Sequence, residues 1–247
     1  MAQCPDSRCD GSGFLYDEET RRARDCSCRP RRIARRKARK LAGVIPRRYQ
    51  GVSFDRPPVT LIDPTVVREV RKFVDALDEN LRTGKGIWFE GDVGTGKTTL
   101  AMLISATALR EGHSVAIYSL PRLLGMLRET FDDDSEASLS TLLERLAAVE
   151  LLHIDDVGAE QSSPWVLEQL YTIVNTRYED DRAVVLTTNL SPPELQEQIG
   201  ERTVSRITEM CSDPLPLNGN DHRTMVDAPW DDGPLPYGEP RARRLAS

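Results

Sequence analysis

The 247-residue chain has no run of eighteen or more apolar residues, so no membrane span is expected. Its opening residues, Met-Ala-Gln-Cys-Pro-Asp, lack the apolar region of a secretion signal. Together these two absences set a cytoplasmic protein as the expectation. No internal repeat is visible, so no repeat architecture is expected. After Cys28 the chain has one cysteine, Cys211, expected as a buried or idle thiol. Acid is scarce in one place. From Arg21 to Arg48 the chain has thirteen Lys or Arg against the single carboxylate of Asp25. That segment carries +12, which leaves −18 on the rest for a net charge of −6. A basic segment on an acidic body suggests contact with nucleic acid or an acidic protein face, against the plainer reading of a solvated charged helix.

What is present begins with GDVGTGKTTL, directly after the apolar run Ile87-Trp88-Phe89. Its spacing, Gly91-x-x-x-x-Gly96-Lys97-Thr98, is that of a phosphate-binding loop. Glycines let successive backbone N–H groups turn toward one anion, and a helix starting near Lys97 adds the positive end of its dipole. Lys97 can reach the β- and γ-phosphates of ATP, and the Thr98 hydroxyl can sit on Mg²⁺. The expected nucleotide-binding set is therefore Gly91, Asp92, Val93, Gly94, Thr95, Gly96, Lys97, Thr98 and Thr99, joined by Asp155 from further along the chain. The alternative is a glycine-rich turn before a helix.

Asp155 and Asp156 close the apolar run LLHIDDVG, residues 151 to 158. Carboxylates at the C-terminal end of a parallel strand stand beside such a loop. Asp155 is the expected Mg²⁺ holder, with Thr98, and Asp156 the group that orients the attacking water. A helix N-cap after a core strand is the bland alternative. His153, inside the run, reads as a packed core residue. VVLTTNL (184 to 190) ends another strand with Thr187, Thr188 and Asn189, whose amide could reach that water or the γ-phosphate. Arg202 and Arg206 lie one helical turn apart in GERTVSRI. Either could serve as an arginine finger, and a surface salt bridge is the commoner fate of each.

Cys4, Cys9, Cys26 and Cys28 fall within the first thirty residues, as Cys-x4-Cys and Cys-x-Cys pairs sixteen residues apart. Gly11 and Gly13 could turn the chain around a metal. Four thiolates suit tetrahedral Zn²⁺, and so short a segment has no apolar core of its own to fold on. Two disulfides or four free thiols are the other readings.

Between these motifs the chain alternates. Strands are expected at 87–90, 115–119, 150–154 and 183–188. Helices are expected from Asp63-Pro64 to the glycines at 84 and 86, and at 97–111, 121–131, 138–149, 164–179, 192–199 and 201–211. Continuous apolar strands separated by helices argue for an α/β fold with a parallel sheet covered on both faces. RRIARRKARKL reads as a basic helix within 30–41, residues 45–58 as an extended linker, and residues 228–247 as a disordered tail. The expected divisions are 1–30 for the zinc-binding module, 31–58 for basic helix and linker, 59–227 for the ATPase domain and 228–247 for the tail.

The loop GDVGTGKT, the run IDDVGAE, the helix WVLEQLYTIVNTRY, the strand end TTNL and the helix ERTVSRITEMC together resemble the AAA+ ATPases of the DnaC/DnaI helicase-loader and IstB group, over about residues 45–225. CPDSRC followed by DGSG and CSC resembles the zinc-binding N-terminal module of many loaders, which IstB-type transposition helpers generally lack. The resemblance implies an AAA+ P-loop NTPase with a parallel sheet ordered 5-1-4-3-2 and flanked by helices, plus the small N-terminal zinc module. It makes Lys97 and Thr98 Walker A, Asp155 and Asp156 Walker B, Asn189 sensor 1 and Arg206 the finger acting in trans. It implies ATP, Mg²⁺ and Zn²⁺ as cofactors. As partners it implies a hexameric replicative helicase of the DnaB type, single-stranded DNA and further copies of the chain assembled with ATP. An IstB-like transposition helper acting on duplex DNA is the alternative. Two departures stand out. The second Walker B acid is Asp where many AAA+ proteins have Glu, and little chain remains for a helical lid, which leaves Arg223 as a substitute sensor 2.

Overall fold

The computed structural model describes residues 4, 8–10, 12–17, 22–29, 45–132, 136–159, 163–219 and 221, with side chains 130–138 excepted. The basic helix expected within 30–41, Gly11, Arg223 and the tail expected at 228–247 lie outside the described residues.

Near the N-terminus, β1 (Phe14–Asp17) pairs antiparallel with β2 (Arg22–Asp25), Phe14 opposite Asp25 and Tyr16 opposite Ala23. The body opens with α1 (Pro64–Asp75), whose N-cap Asp63 accepts the Thr65 N–H at 2.7 Å with Pro64 at the first position, as the sequence signals. The expected single helix breaks at Ala76 and continues as α2 (Leu77–Arg82). Then follow β3 (Ile87–Gly91), α3 (Lys97–Arg110), β4 (Val115–Ser119), α4 (Leu120–Asp132), α5 (Glu136–Ala148) and β5 (Leu151–Asp155). The chain goes on through α6 (Pro164–Glu179), β6 (Ala183–Thr187), α7 (Pro192–Ile199), α8 (Glu201–Cys211) and β7 (Leu215–Leu217).

The five body strands form one parallel sheet in the order β4-β5-β6-β3-β7. Numbered within the sheet alone and read from the other edge, that is 5-1-4-3-2. Side chains alternate across it, which explains why each strand reads as continuously apolar. Trp88, Ala116, Tyr118, Leu152, Ile154, Val184 and Leu186 pack on one face with apolar residues of α4 to α8. Ile87, Phe89, Val115, Ile117, Leu151, Ala183 and Val185 pack on the other with α1, α2 and α3. Helix α3 lies mostly inside, ten of its fourteen residues being buried.

Two expectations are corrected. Residues 45–58 are not an extended linker: Arg47–Tyr49 form a 3₁₀ turn, Val52 is buried, and Ile45, Tyr49 and Phe54 pack against the α1–α3 face. The strand β7, absent from the strand candidates, fills the sheet edge beside β3. Its middle residue is Pro216, which an edge position tolerates because one side of the strand needs no partner.

Candidate functional site

The parallel sheet brings the C-terminal ends of β3, β5 and β6 to one edge, and the sequence places its polar residues there. The loop after β3 needs left-handed backbone at Gly91 (φ 132°), Gly94 (φ 84°) and Gly96 (φ 103°). Two of these glycines are also required by space. A Cβ on Gly91 would strike the Leu217 carbonyl of β7, and one on Gly96 would strike Ile62. Gly96 is the N-cap of α3, so the helix starts directly at Lys97 with its first N–H groups facing the loop. The loop thus combines curled backbone donors, a helix dipole and a lysine. Lys97 is buried, and its Nζ donates to the carbonyls of Gly91 (2.7 Å) and Asp92 (2.6 Å). The Asp221 carboxylate rests against Gly94.

Thr98, next on α3, donates its hydroxyl to Asp155 Oδ1 at 3.0 Å. Thr187, one position beyond the Ile154–Leu186 pair of β5 and β6, donates to the same Oδ1 at 2.7 Å. The Thr187 oxygen in turn accepts the Asp156 N–H at 2.9 Å, and Asp156 Oδ1 accepts the Asn189 amide at 3.0 Å. Asp156 itself is left-handed (φ 62°), a turn that aims its carboxylate away from the strand. One chain of hydrogen bonds therefore runs Thr98–Asp155–Thr187–Asp156–Asn189 across three elements.

Beneath it, the buried His153 accepts or donates at Nδ1 with Ser105 Oγ of α3 at 3.0 Å, while its Nε2 faces Asp155 Oδ1 at 3.9 Å, too far for a hydrogen bond. Burial pushes the Asp155 carboxyl up. The facing imidazole, and then the Thr187 and Thr98 hydroxyls, pull it down by more, so it sits below its ordinary value and is ionised at neutral pH. An ionised carboxylate converging with a threonine hydroxyl is the donor set that a hard divalent cation takes.

The structure brings together Lys97, Thr98, Asp155, Asp156 and Asn189. It places Arg206 elsewhere. Its guanidinium lies 4.2 Å over the Tyr178 ring of α6 and donates to Glu209 at 3.3 Å. Arg202, one turn earlier on α8, is exposed. Thr187 had no role in the sequence reading, and its bridging of both aspartates was the missed feature. Aligning the ends of the two strands would have shown it, because its hydroxyl stands level with the Asp155 carboxylate. Cys211 is buried, and burial pushes its thiol far up, consistent with an inert thiol.

The four N-terminal cysteines also meet. None is in a disulfide, and their sulfurs lie within 4.8 Å of one another. Cys4 and Cys26 stand 3.8 Å apart and Cys9 and Cys28 stand 3.6 Å apart. A tetrahedron with metal–sulfur bonds of about 2.3 Å has sulfur–sulfur edges of about 3.8 Å, so the cluster could hold such an ion. Burial, then the neighbouring thiols of Cys26, Cys9 and Cys4, push Cys28 up to about 12, so four thiolates this close need a cation among them.

Sequence comparison matches residues 54–223 to the family described as IstB-like ATP binding protein. The chain belongs to that family. It is an ATP-binding protein of the AAA+ group that also includes DnaC. The replicative helicase loader DnaC of Escherichia coli (strain K12) is 31% identical over 158 residues, 64% of this chain and 63% of the relative. The DnaC loader of Buchnera aphidicola (Acyrthosiphon pisum) is 26% identical over 181 residues, 71% of this chain and 72% of the relative. The chain thus spans between about three fifths and three quarters of these two relatives. A crystal structure of the DnaC helicase loader superposes with a TM-score of 0.60 and 26% identity, covering 69% of this chain and 98% of that one. Among the described residues no helix is long and apolar enough to cross a membrane.

Proposed function

We propose that this chain is a cytoplasmic ATP-hydrolysing loader. In this reading it binds a hexameric replicative helicase and helps place it on single-stranded DNA. The observation that carries the ATPase part is the continuous hydrogen-bonded path from Thr98 to Asn189. It joins the helix behind the phosphates to the groups that would face an attacking water. The loader part rests on the likeness to the DnaC relatives.

In this reading the loop from Gly91 to Thr99 holds the phosphates, and Lys97 leaves its two carbonyls to pair with the β- and γ-oxygens. Thr98 and Asp155 would hold Mg²⁺, which supplies neutralisation of the charge developing on the phosphates. Asp156, aimed by Thr187 and Asn189, orients the water. Arg206, stacked on Tyr178 on a surface helix, completes the site of a neighbouring copy, so hydrolysis follows ATP-dependent assembly. Residues 59–227 act as the ATPase domain, and residues 1–41, with Zn²⁺ on Cys4, Cys9, Cys26 and Cys28, carry the helicase contact.

The deciding experiment is a pull-down of the host's replicative helicase with and without ATP, alongside hydrolysis measured with single-stranded DNA. Helicase capture that responds to ATP is the expected result. No capture under either condition overturns the loader reading and leaves the ATPase reading standing. The Arg206 role is tested by mixing Arg206→Ala with Lys97→Ala subunits, each inactive alone. Partial recovery is expected, and recovery with Arg202→Ala instead moves the finger to that residue. A second reading, a transposition helper on duplex DNA, draws on the IstB-like family match. Preference for duplex over single-stranded DNA in the presence of ATP would put it first.

A further inference from the structure

His153 reads in sequence as a packed core residue, yet half of its ring has no partner. The side chain is fully buried, its Nδ1 meets Ser105 Oγ at 3.0 Å, and its Nε2 makes no hydrogen bond. A buried polar atom left unpaired is costly, so its placement asks for a reason. The reason lies in what the ring spans. Residues 153 and 155 share the face of β5 on which α3 packs, as Leu151 does. Thr98 and Ser105 stand two turns apart along one face of that helix. Two hydroxyls of α3 thus meet two side chains of β5, Thr98 with Asp155 at the rim and Ser105 with His153 one layer deeper. The imidazole joins the layers, its Nε2 lying 3.9 Å from Asp155 Oδ1. Thr107, further along α3, donates its hydroxyl back to the Leu103 carbonyl, whereas Ser105 turns its own to the ring.

These partners fix the ring hydrogen. With Ser105 donating to Nδ1, the hydrogen sits on Nε2 and faces an anion. In the other tautomer the Nε2 lone pair would face the carboxylate, and the serine hydrogen would find no acceptor on the ring. The first arrangement satisfies both groups. Oδ1 of Asp155 then has three donors turned toward it: Thr98 at 3.0 Å, Thr187 at 2.7 Å and the more distant His153. Among the described residues Oδ2 has Thr98 alone, at 3.3 Å. We propose that His153 is a positioning residue for the cation site: its Nε2–H, set by Ser105, holds Asp155 with Oδ1 turned inward and leaves Oδ2 for Mg²⁺. The proposal rests on the reading of Thr98 and Asp155 as the Mg²⁺ holders. An N–H behind the carboxylate favours its anionic form without competing for the outer oxygen. In dry surroundings that attraction acts at 3.9 Å, short of a formed hydrogen bond. Partners behind a metal ligand typically contribute about ten- to a hundredfold in metal affinity, and the separation here puts His153 at the lower end.

The test reads how far Mg²⁺ tightens the binding of a fluorescent, non-hydrolysable ATP analogue by the full-length chain, with EDTA as the metal-free reference. In the wild type Mg²⁺ should tighten binding by about tenfold or more. His153→Leu keeps bulk and removes both ring nitrogens. It should lose most of that tightening, while binding in EDTA stays within about twofold of wild type. A merely structural role would weaken binding in both conditions, and that outcome overturns the proposal. His153→Gln, whose amide can set an N–H where Nε2 stood, should restore the tightening, and failure to restore it also counts against the proposal. Ser105→Ala should cost several-fold by releasing the tautomer, and adding it to His153→Leu should cost nothing further. If His153→Leu does not fold, Ser105→Ala decides by itself, and unchanged tightening there overturns the proposal. Asp155→Asn separates the proposal from the reading beneath it. Full tightening in Asp155→Asn takes Mg²⁺ away from Asp155 and the role of His153 with it. Lost tightening in Asp155→Asn beside full tightening in His153→Leu overturns the proposal alone.

Discussion

The nucleotide-loop edge and the cysteine cluster, the two places that could hold a charged guest, are built by opposite means. At the sheet edge the polar groups are held from behind by apolar packing. Both faces of the strands are covered, α3 is buried along most of its length, and Thr98, Asp155, Thr187, Asp156 and Asn189 are already bonded to one another. At the N-terminus the cysteines are themselves the core, and among the described residues Leu15 is the one other apolar side chain packed against them. A site backed by a core keeps its shape when its guest leaves. A site that is its own core would not, since a metal bound there would supply the folding free energy.

Stripping the metal should break the comparison most plainly. A chelator, or Cys26→Ser with Cys28→Ser, should unfold residues 4–29, because structural zinc contributes on the order of 10 kcal/mol to such a fold. Hydrogen exchange across the ribbon would read the loss, while ATP affinity should change by less than about twofold, since no described contact ties the cluster to the nucleotide loop. Equal protection with and without chelator would remove the metal from the account.

Asp156→Asn comes next in size. It should bind ATP as the wild type does and hydrolyse it about a hundredfold or more slowly, the usual scale for a group that handles a proton or water in the transition state. Single-turnover hydrolysis with assembled protein is the measurement, and unchanged turnover would take Asp156 out of the chemistry. Lys97→Ala should weaken ATP by about ten- to a hundredfold through loss of charged hydrogen bonds, leaving the body folded. A fluorescent ATP analogue reads this, and wild-type affinity would refute the loop's assignment. The smallest effect is expected at Thr187→Val. It removes one bridging hydroxyl worth about 1 kcal/mol and should raise the Mg²⁺ concentration needed for half-maximal turnover several-fold. A shift in maximal rate alone, at unchanged Mg²⁺ requirement, would mean that Thr187 serves Asp156 more than Asp155.

The sequence made the two regions legible to different degrees. The β3–loop–α3 unit was readable because a phosphate loop demands glycines at fixed places, and the strands β3 to β6 because both-sided burial keeps their interiors apolar apart from His153. The carboxylates were readable because a parallel sheet collects its strand ends. Other features escaped, beginning with the three-residue strand β7 around Pro216. The break at Ala76 lies under an apolar stripe that runs on through Leu77 and Leu81, so periodicity alone carries the helix across it. The packing of residues 45–58 depends on single apolar residues with no period, Ile45, Tyr49, Val52 and Phe54, set among arginines and prolines. The bridging by Thr187 and the Ser105–His153 contact exist only once strands and helix are stacked. In the N-terminal region the cysteine set was readable from count alone. The outward pair Phe14 and Tyr16 was not, because two aromatic residues in alternation look the same in sequence whether they face a core or water.

Arg177 has a reach beyond its surroundings. Fully buried at the end of α6, it donates to the carbonyls of Leu146, Ala147, Val149, Glu150 and Ala183. Leu146 and Ala147 close α5, while Val149, Glu150 and Ala183 mark the roots of β5 and β6, and the carboxylates and Asn189 stand at the tips of the same two strands, about 16 Å away at some 3.3 Å per residue. The guanidinium thus works as the pivot pin of a pair of tongs. Two stiff arms are fixed at one end, and the jaws at the other keep their gap only while the pin is tight. Damage at the pin would be felt in the jaws, as a protein that still grips ATP yet no longer closes correctly around the water.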